Sequence, residues 1–108
     1  MRLTPQSDVF SAISTPVRRE IIERLANQND QSISDLAAIY PMSRQAVTRH
    51  IKVLDETGVI SVRKVGREQI CHFNPQALKE VYEWVRFYEK FWDDKLDALG
   101  AFLESSND

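Results

Sequence analysis

The chain has 108 residues, 43% apolar and 28% charged, with one cysteine and a formal net charge of −2. That composition suits one domain with a modest core and excludes an internal disulfide. No apolar run approaches the roughly 18 residues a spanning helix needs, and MRLTPQSDVF lacks the apolar stretch of a secretory signal. The expectation is a cytoplasmic protein with no membrane partner, folded as a single unit over 1–108, with short tails at 1–6 and 105–108.

Val9, Phe10, Ala12 and Ile13 predict a short first helix. Thr15-Pro16 is a start signal: threonine caps, and proline suits the first helical position, where its missing N–H costs nothing. Val17, Ile21, Ile22 and Leu25 then recur at helical spacing to about Asn27. Residues 27–31 read as a polar loop. Ser32 and Asp35 form a capping box for a helix whose apolar set is Ile33, Leu36, Ala37 and Ile39, ended by Pro41. Ser43 caps the next helix, which turns Ala46, Val47, Ile51 and Leu54 to the core and stops at Gly58. Strand-like residues follow over 59–73, with Val65-Gly66-Arg67 as the turn of a two-stranded hairpin. Asn74-Pro75 repeats the start signal, and one helix is predicted from there to about Leu103.

The net charge hides an uneven distribution. Residues 43–67 hold Arg44, Arg49, Lys52, Arg63, Lys64 and Arg67 against only Asp55 and Glu56, a local charge of +4. Cations concentrated in one helix and the following hairpin form an electrostatic footprint for phosphate. With 46, 47, 51 and 54 facing inward, Arg44, Gln45, Thr48, Arg49 and Lys52 face outward. Arginine bonds guanine O6 and N7 together, glutamine pairs with adenine N6 and N7, and threonine offers a hydroxyl and a methyl. Ser43 and the helix N-terminus suit a backbone phosphate. Arg63, Lys64 and Arg67 at the hairpin are placed along a neighbouring minor groove or its phosphates. Helix, turn, basic helix and charged hairpin in this order predict a mainly α winged helix-turn-helix with a small two-stranded β-wing, binding double-stranded DNA.

The last predicted helix carries Leu78, Val85, Trp92 and Leu99 every seven residues, accompanied by Val81, Tyr88 and Phe102. Trp84, Phe87 and Phe91 lie on another side. A small domain cannot easily cover that much apolar surface, and a second copy of the chain would. Trp84 and Trp92 are expected in core or interface packing, with an apolar ligand pocket at the seam as the alternative.

The chain resembles the ArsR-type winged-helix repressors of bacteria and archaea over about residues 8–103. The likeness rests on Thr15-Pro16-Val17-Arg18-Arg19-Glu20-Ile21-Ile22, on Ser34-Asp35-Leu36-Ala37, and on residues 43–54, close to the family's S-x-x-x-V-S-x-H-L-x-x-L pattern. Glu56-Thr57-Gly58-Val59-Ile60 and Arg63-Lys64-Val65-Gly66-Arg67 match the approach to its wing. The resemblance implies a homodimer built from the first and last helices, and a repressor on an imperfect palindrome. It places Phe10, Ile13, Val85, Tyr88, Trp92, Leu96 and Leu99 at the seam. The aromatic last helix resembles a branch without a metal site. Where metal-sensing members carry paired cysteines this chain has Ser32 and Ser34, and its last helix holds no histidine. No metal and no other cofactor is therefore expected.

No catalytic motif is present, and adjacent Asp93 and Asp94 point in different directions on a helix, so no enzyme is expected. The rival reading is a winged-helix module that docks proteins, which would not need Arg44, Arg49 and Lys52 side by side. His50 is expected at the helix–core edge, and Cys71 as a buried, inert thiol. The effector, a small molecule or a protein, is not named by the sequence.

Overall fold

The computed structural model describes residues 8–106. The expected tail at 1–6 lies outside the described residues, whereas Ser105 is helical. Helix α1 (Val9–Ala12) is capped by Asp8, whose side chain accepts from the Ser11 N–H at 2.8 Å. Helix α2 (Pro16–Asn27) starts as the Thr15-Pro16 signal implies: the threonine hydroxyl accepts from the Arg18 N–H. Its inner face buries Ile21, Ile22 and Leu25.

Strand β1 (Gln31–Ser32) was expected as loop. It pairs antiparallel with the hairpin, Gln31 opposite Cys71 and Ser32 opposite Ile70. The sheet therefore has three strands in the order β1-β3-β2, not two. Two residues are too few for alternation to show, so only the long-range pairing defines this strand.

Helix α3 (Ile33–Ala37) is capped by Ser32, whose Oγ accepts from the Asp35 N–H at 3.0 Å. It ends earlier than the apolar pattern suggests. Ile39 is left exposed, and Tyr40 takes the buried place instead, because residues beyond Ala38 leave the helix and the 3.6-residue spacing lapses.

Helix α4 (Arg44–Glu56) is capped by Ser43 and buries Val47, Ile51 and Leu54. Its end is a complete Schellman motif. Gly58 at φ +81° donates to the Asp55 carbonyl, and Val59 donates to that of Leu54. Leu54 and Val59 are both fully buried, the apolar contact that accompanies this cap. The turn thus delivers the chain directly into β2 (Ile60–Val65).

Strands β2 and β3 (Glu68–Phe73) pair from Ile60 opposite Phe73 to Val65 opposite Glu68. Val65 belongs to the ladder, so the turn is Gly66-Arg67 alone. Gly66 sits at φ +63° with Arg67 at negative φ, the signs of a two-residue II′ turn. The core lies between α2, α3, α4 and the sheet's inner face: Ile21, Leu25, Leu36, Val47, Ile51, Leu54, Val59, Ile60 and Cys71 are all essentially solvent-free.

The predicted last helix is three pieces. Pro75–Leu78 form a 3-10 turn, α5 runs Lys79–Phe87, and α6 runs Glu89–Ser106. Tyr88 breaks the path at φ −97°, ψ 2°. It donates to the Val85 carbonyl three residues back, and its own carbonyl accepts from Phe91 and Trp92. The break carries no glycine or proline, so it leaves no signature in the sequence. Trp84, Phe87 and Phe91 ring Tyr88 at centroid distances of 5.4, 5.0 and 6.3 Å. The every-seven set is consequently divided: Leu78 and Val85 are half-buried on the domain, while Trp92 and Leu99 stand on α6. Every large apolar side chain of α6 is exposed.

Candidate nucleic-acid interface

Helices α3 and α4 pack together, and α4 presents one polar face. Arg44, Gln45, Thr48, Arg49 and Lys52 are all exposed, as the inward set requires. Positions 44 and 48 form one row and 45, 49 and 52 the next, so the five side chains share a surface. Ser43 sits at its N-terminal end. The hydroxyl oxygen accepts from the Ala46 N–H at 3.1 Å, which leaves the hydroxyl hydrogen to donate to an anion.

Strand alternation divides the wing residues that the sequence grouped together. Lys64 shares a face with Val62 and Ile60, the side turned towards α4, with Gln69 directly opposite. A cavity of about 190 Å³ lies between wing and helix, lined by Ile33, Thr48, Ile51, Lys52, Asp55, Val62 and Gln69. The inner wing surface therefore continues the exposed face of α4. Arg67 is exposed at the hairpin tip. Arg63 lies on the opposite face, and its Nη1 is 3.6 Å from Asp30 Oδ1. Among the described residues, Arg44, Arg49, Lys52, Lys64 and Arg67 form no ion pair, whereas Arg63 does.

Two supporting residues escaped the sequence reading. Asp30, at φ +61°, holds both Arg63 and His72 Nδ1. Its neighbour Asn29 accepts from the Phe73 N–H at 2.8 Å. The Asn29-Asp30 turn thus grips the base of the wing. Arg18 is the other. Its Nε donates to the Ala12 carbonyl at 2.7 Å, and Nη2 to the Ser11 carbonyl at 3.1 Å and Ser14 Oγ at 3.3 Å. Its Nη1 is 3.1 Å from His50 Nδ1 on α4. A guanidinium only donates, so Nδ1 accepts and the imidazole proton sits on Nε2. Burial first, then the charges of Arg18 and Arg49, hold the His50 pKa below its usual value. Neither role leaves a trace in spacing, because both join segments more than 30 residues apart.

The positions that would bear metal ligands are differently engaged. Ser32 is buried as the α3 cap, and Ser34 is exposed. His72 lies against a carboxylate, which Arg63 shares. Among the described residues no three histidine, cysteine, aspartate or glutamate side chains are grouped to hold a metal ion, and no helix is long and apolar enough to cross a membrane. Cys71 is fully buried, and burial, with a smaller contribution from Asp55, raises its pKa to about 11.

Phe10 of α1 packs edge-on to Trp84 of α5 at 5.7 Å, and Trp84 packs against Tyr88. Phe10, Ile13 and Val85 are half-buried. Tyr88, Trp92, Leu96 and Leu99 are exposed by 37 to 61%, an apolar surface continuous from α1 and α5 onto α6.

Residues 13–78 match the family model described as HVO_A0114. The chain is 28% identical over 99 residues to the HTH-type transcriptional regulator Rv2034 of Mycobacterium tuberculosis, covering 92% of this chain and 89% of that protein. It is 29% identical over 79 residues to the transcriptional repressor SdpR of Bacillus subtilis, covering 73% and 87% respectively. The solved structure of an ArsR-like transcriptional regulator from Rhodococcus sp. RHA1 superposes with a TM-score of 0.68 at 35% identity, covering 90% of this chain and 88% of that one. The match over 13–78 places this protein in the HVO_A0114 family, and the 35% identity over nearly the whole of both chains places it among the ArsR-type winged helix-turn-helix transcriptional regulators.

Proposed function

We propose that the protein is a homodimeric repressor, reading a palindromic operator with α4 and holding the flanking backbone with the wing. The carrying observation is the exposed face of α4, where Arg44, Gln45, Thr48, Arg49 and Lys52 lie over a buried apolar face. Its cations have no carboxylate partners among the described residues. Cations clustered on one exposed face raise the local positive potential and attract an anion, and phosphate is that anion. A protein-docking module has no need of this face. Gln45, Thr48 and Arg49 read base edges, Ser43 and Arg44 approach phosphate, and Lys52, Lys64 and Arg67 follow the backbone. Arg63 contributes less, because Asp30 already holds it.

The second copy covers the apolar surface of Phe10, Ile13, Val85, Tyr88, Trp92, Leu96 and Leu99, placing two reading helices about 34 Å apart. The whole chain then acts as one binding unit in the cytoplasm, without catalysis. Its release signal, a small molecule or a protein, acts without a metal, since hydroxyls replace thiolates at Ser32 and Ser34.

The test is a fluorescence-anisotropy titration on the DNA upstream of its own gene against a scrambled duplex, across a salt series. Preference for the upstream DNA, with binding falling steeply as salt rises, is the expected result. Equal affinity for both duplexes at moderate salt would overturn sequence-specific repression.

A further inference from the structure

We infer that Arg18 is a positioning residue for operator reading, fixing the reading helix α4 to the dimer-forming helix α1 through His50. The geometry is a four-way clasp. One guanidinium bonds two α1 carbonyls, Ser11 and Ala12, the Ser14 hydroxyl in the turn, and the His50 ring on α4. Phe10, beside those carbonyls, is the residue against which Trp84 packs. A continuous path of contacts therefore runs from the apolar seam to the middle of the reading helix.

The consequence follows from the operator's geometry. In a dimer the separation of the two reading helices sets the half-site spacing, and how rigidly each α4 is tied to the seam sets how strictly that spacing is kept. Arg18 has no need to touch DNA to act on this. Removing it leaves every base-contacting side chain in place and frees α4 to tilt relative to α1. The inference rests on α4 being the reader and α1 part of the seam.

The clasp depends on a neutral His50. Arg18 from α2 and Arg49 from α4 are the charged groups bearing on the ring, and both, with burial, disfavour its protonation. The folded pKa lies below the ordinary 6.5, so the bond is complete above that pH and is lost as pH falls through the lowered value. An imidazolium would present an N–H to the guanidinium and end the bond.

The probe is a duplex selected by the wild-type protein from a random-sequence library, remade with one base pair added or removed between its half-sites. Wild type should bind the selected spacing best. Arg18→Gln should bind it roughly tenfold more weakly, the order of one lost charged hydrogen bond, and should lose much less on the altered spacings. His50→Leu should behave alike, while His50→Gln, which keeps an acceptor, should stay near wild type. Lowering the pH through the depressed His50 value should flatten the spacing preference of wild type and leave the already weak preference of His50→Leu unchanged. Circular dichroism and light scattering should show each variant folded and dimeric, and if Arg18→Gln does not fold, His50→Leu alone carries the test. The same spacing preference in Arg18→Gln or His50→Leu as in wild type would overturn the inference and leave the repressor reading standing. So would a salt slope reduced by about one in Arg18→Gln, the mark of a direct phosphate contact. A wild-type protein with no preference for its selected duplex over a scrambled one would overturn both.

Discussion

Asp30 accepts a hydrogen bond from His72 across 3.0 Å, joining a turn and a strand that lie 42 residues apart. The aspartate also lies beside Arg63 and adopts φ +61°, a backbone region that aspartate and asparagine tolerate better than most side chains. One residue thus fixes both the turn before β1 and the base of the wing. Asp30→Ala should cost about 1–2 kcal/mol, combining left-handed backbone strain with the loss of an exposed pair. Asp30→Asn, which keeps an acceptor and the backbone preference, should cost about 0.5 kcal/mol or less. Urea denaturation of the two variants tests this, and equal losses would show that the charge, not the conformation, is what matters.

Base reading and phosphate holding should separate by mutation. Gln45→Ala or Arg49→Ala should relax discrimination between operators by about 1–3 kcal/mol. Arg67→Ala should weaken all sequences alike and lower the salt slope. Arg63→Ala should change affinity less than Arg67→Ala, because Arg63 is turned away from α4 and held by Asp30. Anisotropy titrations on matched and mismatched duplexes decide the matter. If Arg67→Ala alters operator preference while Gln45→Ala does not, the wing is the reader.

Trp92 is half-exposed on α6, between the Tyr88 break and Leu96. A charge there would face an apolar seam without a partner and weaken association strongly. Trp92→Glu should be monomeric by light scattering and should bind operator weakly, since one protomer keeps half the contacts. A fully dimeric Trp92→Glu protein would rule out this seam. Adding zinc to the wild-type DNA complex should leave it intact, and stoichiometric release would show that a metal governs the switch after all.

Cys71 should be chemically silent in the native state. Its burial, with a pKa of about 11, leaves almost no thiolate near neutrality. Labelling by Ellman's reagent at pH 8 should therefore proceed only as fast as the chain unfolds. The raised pKa also has a sign. The folded state prefers the protonated thiol, so its contribution is complete below the ordinary 9.0 and lost as pH rises towards 11. Cys71→Ser, which puts a hydroxyl in the same apolar site, should lower stability by about 1–3 kcal/mol. Rapid labelling of folded protein would mean the strand opens locally.

The parts of this molecule written in local signals were legible without coordinates. Thr15-Pro16, the Ser32 and Ser43 caps and Gly58 fix helix ends through groups a few residues apart, and all four act as their chemistry requires. The alternation of buried and exposed positions on α4 likewise determined its outward face, since a 3.6-residue repeat with Val47, Ile51 and Leu54 inward leaves the polar positions only one side. Tertiary structure alone decided what depends on distant partners. Strand β1 exists because Cys71 and Ile70 lie beside it. Arg63 and Lys64, adjacent in sequence, serve opposite faces because the strand between them alternates. The bend at Tyr88, the Asp30 grip on the wing and the Arg18–His50 clasp arise from packing and hydrogen bonds between segments that no period or motif connects.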